Sequence, residues 1–284
     1  MRRISDADQL PRELLDLIAE ARYVAVLSGA GISAESGVPT FREVQTGLWE
    51  RFSAQDLATV EAYEADPALV WTWYRWRQAL IEAVEPNPGH RALAAWQQHL
   101  AAGSGRLSIS TQNVDDLHER AGSEVLGHLH GAIAAHRCLD CGAEATLPRP
   151  EYDGSVPPQN PEEPPTCTAC GTGRLRPGVV WFGEMLPMDA FEAAAESVRT
   201  ADLVLVVGTS GIVQPAASLP LLALERGTPL VEVNPEDTEL TEYMDYAVRG
   251  GSGQMIPRLL AAAGVLESNG FASEEPQPEA HGRL

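Results

Sequence analysis

Four cysteines constrain this chain more than any other feature. Cys138, Cys141, Cys167 and Cys170 form two C-x-x-C pairs separated by 25 residues, and no fifth thiol is left over. In a reducing compartment this pattern reads as metal binding and not as a disulfide framework. Four thiolates from two knuckles complete a tetrahedron around one Zn²⁺ with no position open for water, so the metal is expected to be structural. The connection exceeds the usual ribbon spacing, and its Pro-rich stretch SVPPQNPEEPP accounts for the excess. A small zinc module, residues 135–176, therefore interrupts something larger.

The flanking sequence alternates. Strand-like runs YVAVLS, LSIS, LVLVV and PLVEV are interleaved with helical patterns at about 11–21, 47–84, HRALAAWQQHL, 190–198, a stretch after LVLVV, and a short one from Ile256. That alternation predicts an α/β fold: a Rossmann-like parallel sheet with helices on both faces. It would be assembled from residues 1–46, 85–134 and 177–264, with a helical insert over 47–84. VVWF reads as the point where the alternation resumes after the zinc module. Residues 265–284 are acidic and rich in Pro, Gly and Ser, the composition of a disordered tail.

No apolar run reaches the length of a membrane span, and MRRISDADQLPRELLDL carries charge where a signal peptide needs apolar residues; a cytoplasmic protein is expected. The formal net charge is −20, with 40 acidic against 20 basic residues. That balance disfavours direct contact with a nucleic-acid backbone, and with it a nucleic-acid-binding zinc ribbon. It suits a locally basic protein segment, and an acidic solubilising surface explains it as well.

After the first long strand comes LSGAGISAESGVPTFR, in which Gly29, Gly31 and Ala34 satisfy G-x-G-x-x-G/A. Glycines at such a turn let the backbone approach a pyrophosphate. The dehydrogenase form of the motif needs a second strand ending in an acidic residue about 20 positions on. The interval here, SGVPTFREVQTGLW, is not strand-like, so a nucleotide site is expected and hydride transfer is not. Three further strand-like runs end in small polar clusters, SIS-TQNVD, LVLVV-GTS and PLVEV-NPE. Ligands of open parallel sheets sit outside the carboxyl ends of the strands, and four such ends would line one cleft. His130, in LHG, is suited to proton transfer near neutral pH, although a lone histidine is more often structural.

In this order, GAGIS…SG-P-FR, TQN-D-LH-RAG, LHG, the two C-x-x-C pairs, VVWFGE, VVGTS and VNPE resemble the sirtuin family from about Leu14 to Pro257. The resemblance implies a lysine deacylase that consumes NAD, releasing nicotinamide and an O-acyl-ADP-ribose. It implies that His130 is the general base, with Asn113 and Asp115 beside it at the nicotinamide ribose. Gly29, Ala30, Gly31, Ile32, Ser33, Ala34, Thr40, Phe41, Arg42, Gln112 and Val114 fall on the family's cofactor segments, as do Gly208, Thr209, Ser210, Asn234, Pro235, Glu236 and Ser252. Val180, Phe182 and Gly183 match the segment that takes an acyl-lysine peptide by strand addition, a mode in which the main chain supplies most of the affinity.

The departures narrow this. Thr40 stands where many sirtuins have Asp, Asp116 where many have Gly, Gly178 where His is frequent, and Ser252 where Ala is frequent. The first two are similar to the branch called class III, which removes acidic acyl groups such as succinyl. That branch also carries an Ala followed by Tyr-x-x-Arg, here Ala58, Tyr74 and Arg77. Residues i and i+3 share a helix face, so Tyr74 and Arg77 can enter one pocket. A guanidinium takes a carboxylate through two charge-assisted bonds, and a phenol adds a third. Ala58 leaves room for the longer chain. On the residues alone, Trp71, Trp73, Tyr74 and Trp76 read better as core aromatics and Arg77 as a surface charge; the resemblance puts the acyl-carboxylate pocket ahead.

A succinyl- or malonyl-removing enzyme with some deacetylase activity is expected. A plain deacetylase, a mono-ADP-ribosyltransferase and a binding module that senses NAD are the alternatives. All 20 basic residues are Arg, so the enzyme would escape acylation of its own side chains; a bias of composition towards Arg explains the same fact more simply.

Overall fold

The computed structural model describes residues 1–4, 10–39, 54–152 and 160–267. Thr40, Phe41 and Arg42, residues 47–53 of the expected helical insert and residues 268–284 of the tail lie outside them.

The strands in chain order are β1 (Arg2–Ile4), β2 (Tyr23–Ser28), β3 (Arg106–Thr111), β4 (Val125–His128), β5 (Gly131–Cys138), β6 (Glu144–Ala145), β7 (Leu175–Val179), β8 (Leu203–Val207), β9 (Leu230–Val233) and β10 (Tyr246–Val248). The helices are α1 (Arg12–Glu20), α2 (Gly31–Ala34), α3 (Ala54–Leu57), α4 (Val60–Ala65), α5 (Pro67–Ala83), α6 (Pro88–Ala102), α7 (Leu117–Arg120), α8 (Met188–Thr200) and α9 (Ser252–Ala262).

Seven strands pair in parallel in the order β1-β10-β9-β8-β2-β3-β4. The chain leaves β2 towards β3 on one side and returns through β8 on the other, so the strand order reverses at β2. The run YVAVLS is almost continuously apolar because both faces of β2 are covered. Val24 and Val26 pack with Leu14 and Ile18 of α1, Leu93 and Trp96 of α6 and Met255 of α9. Ala25 and Leu27 pack on the opposite face with Ala194 and Val198 of α8. The expected Rossmann-like sheet with helices on both faces is present.

Two helix starts are written into the sequence. Pro67 and Pro88 open α5 and α6 in the first turn, where a missing N–H costs nothing. The Asp66 carboxylate accepts from Leu69 N–H, and Asn87 Oδ1 accepts from Gly89 and His90 N–H, capping the freed donors.

Three elements differ from expectation. The segment after β8 is a 3₁₀ helix, Ala216–Arg226, with Pro220 inside it. Helix α9 begins at Ser252, ahead of Ile256, and runs through Pro257. VVWF does not return to the parallel sheet: only Val179 lies in β7, which pairs antiparallel with β5 in the second sheet, β6-β5-β7. That sheet carries the cysteine knuckles and spans residues 131–179, beyond the expected 135–176.

Candidate active site

Four neighbouring strands, β9-β8-β2-β3, end level with one another: Val233 pairs with Val207, Val207 with Ser28, and Ser28 with Thr111. The four polar clusters seen in the sequence therefore share one edge, at the point where the strand order reverses and open α/β sheets place their ligands. Gly29 N–H donates to Val207 O at 2.9 Å and Gly31 N–H to Gly208 O at 2.7 Å. A Cβ on Gly31 would lie 2.7 Å from Gly208 Cα, and one on Gly208 (φ +59) only 2.3 Å from Ile32 N. These glycines let two loops touch through their backbones. Ile32 points into the core, so only its backbone faces the cleft.

The rim is tied across the strands. Gln112 Nε2 donates to Thr209 Oγ1 at 3.2 Å, joining TQN to GTS. Ser210 O accepts from Glu239 N–H, and the Asn234 amide donates to Glu236 O at 2.9 Å across Pro235, folding the NPE turn on itself. Ser252, at the start of α9, sits beside Gly31 O at 3.5 Å. Ile133 N–H donates to Val114 O at 2.9 Å, fixing the TQNVD loop to β5.

Beside the glycines is a buried polar cluster. Ser33 Oγ donates to Asp115 Oδ2 at 2.9 Å and accepts from Asn113 Nδ2 at 3.0 Å. Burial raises the Asp115 pKa, and the Leu117 N–H and Ser33 hydroxyl hold back part of that rise. His130 Nδ1 lies 2.9 Å from Gln112 O. A carbonyl only accepts, so Nδ1 carries the proton and Nε2 keeps the lone pair. Burial lowers the His130 pKa, with the Gln112 bond opposing, so the ring is a neutral base at neutral pH.

Two histidines under this cluster have no individual signature in the sequence. His90 and His118 are buried, with ring centroids 5.0 Å apart. His118 Nε2 is 2.9 Å from Ser28 Oγ, which donates to Thr111 Oγ1 at 2.9 Å, and His90 Nε2 lies 3.5 Å from Ser33 Oγ. Burial drives their pKa values down to about 4 and about 3, so both are neutral spacers.

Tyr74 and Arg77 are both buried on α5. The Arg77 guanidinium lies 5.0 Å from the centroid of the Trp73 ring. Tyr74 Oη accepts from Trp181 Nε1–H at 3.0 Å. Ala58 is buried, and its carbonyl accepts from Phe182 N–H at 2.8 Å, so the alanine expected at the acyl pocket is joined to the segment expected to take the peptide. Val180 N–H donates to His130 O at 2.8 Å, which ties that segment to His130. Phe182 and Gly183 are exposed.

The four cysteine sulfurs lie within 4.8 Å of one another, with Cys138–Cys170 and Cys141–Cys167 both at 3.8 Å. Bonds of ~2.3 Å to a tetrahedral zinc require edges of about 3.8 Å, so the set fits Zn²⁺ with every ligand position filled. Gly173 N–H donates to Cys170 Sγ at 3.2 Å, and Gly142 and Gly171 take positive φ (+72 and +78) at the knuckle turns.

The profile of the Sir2 family matches residues 29–215, the glycine loop through the GTS strand end. The chain belongs to the Sir2 family. A Mycobacterium tuberculosis NAD-dependent protein deacylase is 52% identical over 237 residues, covering 84% of this chain and 96% of the relative. Pseudomonas aeruginosa NAD-dependent protein deacylase 1 is 48% identical over 254 residues, covering 89% and 98%. The structure of a Sir2 homologue in complex with NAD superposes with a TM-score of 0.80 at 42% identity, over 93% of this chain and 96% of that one. A Sir2 protein bound to an acetylated peptide gives 0.74 at 29% identity, over 90% and 99%.

Several residues bonded to the candidate site lie inside motifs already quoted. His118 lies inside the quoted LH-RAG motif, and Trp181 and Glu184 inside VVWFGE, yet none was singled out. Arg176 has no motif at all; its charge, 2% exposed, is explained only by the fold.

Proposed function

We propose that this Sir2-family enzyme removes carboxylate-bearing acyl groups, of the succinyl and malonyl type, from protein lysines. At the coarser level it is an NAD-dependent protein deacylase, as its relatives are. The observation that carries the finer reading is the pairing of Tyr74 with Arg77, both buried, on one face of α5 next to the segment at Val180–Gly183. A guanidinium can take the carboxylate of a succinyl chain through a fork of charge-assisted hydrogen bonds, and the phenol three residues before it can add a third.

NAD supplies a ribose carbon from which nicotinamide leaves, with the acyl oxygen of the modified lysine as nucleophile. The remaining work falls to this chain. The Gly29–Gly31 and Gly208 backbones leave the room a pyrophosphate would occupy, with Thr209, Ser210, Asn234, Glu236 and Ser252 along the rim. Asn113 and Asp115, fixed through Ser33, offer an amide and a carboxylate to the nicotinamide ribose. His130 Nε2, with its lone pair free, takes the proton of a ribose hydroxyl and so lets that oxygen attack the acyl carbon. Thr40, Phe41 and Arg42 belong to the same assignment by their motif.

The peptide would dock as an added strand along exposed Phe182 and Gly183. Because Val180 and Phe182 N–H are already bonded to His130 O and Ala58 O, pairing would use the other main-chain groups of the segment. Binding of an acyl-lysine segment also fits the charge of −20, which favours basic flanking residues. The proposed test is mass spectrometry of the products from a succinyl-lysine peptide and NAD. Nicotinamide, free lysine peptide and O-succinyl-ADP-ribose are expected. ADP-ribose attached to protein would establish a mono-ADP-ribosyltransferase instead, and turnover confined to acetyl-lysine a plain deacetylase.

A further inference from the structure

The Trp181 side chain is 1% exposed and held from every side. The main-chain N–H of Trp181 donates to Glu184 Oε2 at 2.8 Å. The Arg176 guanidinium lies 3.5 Å from its ring centroid and pairs with both oxygens of the same Glu184 carboxylate. Arg176 also donates to Val179 O at 3.0 Å, and the Tyr63 ring stands 5.3 Å away. Arg176 and Glu184 thus clamp the turn that presents Val180–Gly183, with the indole as its rigid core.

This rigid indole meets the acyl pocket at one atom. Its N–H lies 3.0 Å from Tyr74 Oη, and Trp181 is the only hydrogen-bond partner of Tyr74 among the described residues. An indole nitrogen can only donate, so the phenol oxygen must be the acceptor. The phenol proton then points away from the indole, and Arg77, one turn further along α5, offers it no acceptor of its own. Burial raises the phenol pKa, so the proton stays on at any working pH. An acyl chain ending in acceptors satisfies the Tyr74 phenol proton, and a bare methyl leaves that buried donor without the bond.

We propose that Trp181 is a specificity-determining residue: its N–H fixes Tyr74 as a donor, and this orientation selects acyl chains that end in a carboxylate. The inference rests on the acyl-carboxylate reading above and adds to it a residue outside the Ala58–Tyr74–Arg77 set.

A double-mutant cycle tests it, measuring kcat and KM for matched succinyl- and acetyl-lysine peptides in the native enzyme, Trp181→Phe, Tyr74→Phe and the double variant, with Arg77→Met alongside. Trp181→Phe should lower the succinyl-to-acetyl ratio of kcat/KM about five-fold, the scale of one buried hydrogen bond, through the KM for the succinyl peptide. In the Tyr74→Phe background the same substitution should leave the ratio unchanged, because the acceptor is already gone. If Trp181→Phe does not fold, the benzothienyl isostere of tryptophan at this position keeps the ring, lacks the N–H, and should give the same result. An equal fall for both peptides, or the same fall with Tyr74 absent, overturns the proposal and leaves Trp181 a packing residue. A native succinyl preference that depends on Arg77 and not on Trp181 overturns this inference alone. Absence of any succinyl preference, with Arg77→Met silent, overturns the acyl-carboxylate reading and this inference with it.

Discussion

His128 and His130 hang from consecutive carbonyls, with Nδ1 of His128 3.0 Å from Asn113 O and Nδ1 of His130 2.9 Å from Gln112 O. The second nitrogen separates their roles. His128 Nε2 meets the Glu119 carboxylate at 2.7 Å, so both of its partners are acceptors and the ring is held as an imidazolium. Burial alone would lower the His128 pKa, but the bonds to Glu119 and Asn113 and the nearby carboxylates outweigh it, and the net shift is upward. His130 has one carbonyl partner, and its shift is downward.

Opposite shifts predict two limbs of a pH profile. The base His130 works once deprotonated, so kcat/KM should hold as pH falls to the ordinary histidine range and fail only below it. His130→Ala should cost roughly 10²–10⁴-fold in kcat, the usual worth of a general base. The His128 clamp is complete below its ordinary pKa and is lost as pH rises through the raised one, so KM for NAD should climb on the alkaline side. Glu119→Gln should move that climb to lower pH. A rate-profile series with NAD varied at each pH checks both.

The cysteine tetrahedron predicts one zinc per chain by elemental analysis. Its two knuckles close the sheet that ends at Val179, next to the peptide segment, so losing the metal should cost fold before chemistry. Cys138→Ser should abolish stoichiometric zinc and lower Tm by roughly 10 °C or more, since each kcal/mol moves Tm about 2–4 °C in a domain of this size. Full zinc content in that variant would contradict the assignment.

Buried His90 and His118 make the enzyme acid-sensitive. Their pKa values fall to about 4 and about 3 in the folded state, against an ordinary value near 6.5. Between those limits the unfolded chain binds more protons, so stability is intact above the ordinary value and declines as pH drops below it. Each ring approaches about 1.4 kcal/mol per pH unit in that window. Urea unfolding between pH 7 and 5 should therefore show a steeper loss in the native enzyme than in His118→Gln.

Gly31→Ala would place a Cβ 2.7 Å from the Gly208 backbone, where no flexible side chain can yield. The expected result is a variant with KM for NAD raised at least ten-fold, or one destabilised by about 1–3 kcal/mol, the usual cost of overpacking. Unchanged KM and Tm would mean that the two loops do not meet as closely as the structure has them.

What was legible in the sequence was local. The C-x-x-C spacing, the glycine loop and the strand ends each lie within a few residues, and each folds as expected. Ser33, Asn113 and Asp115 could be named by motif, but their hydrogen-bonded union joins residues 80 and 82 positions apart and exists only once β2 and β3 pair. VVWF was misplaced because four apolar residues do not say which sheet they join. The first turn of α9, from Ser252, was not expected because its glycines carry no apolar periodicity. Trp181 stands in VVWFGE with no role assigned; the partner of its indole N–H is set by the fold, which no pattern of residue types encodes.

The acyl pocket is the central claim, and the most direct measurement is kcat/KM for matched succinyl- and acetyl-lysine peptides in the native enzyme and in Arg77→Met. A native preference for succinyl that falls at least ten-fold in Arg77→Met, in step with the loss of a buried charge pair, is the predicted result. A native preference for acetyl, unmoved by Arg77→Met, would contradict it and make this enzyme a deacetylase.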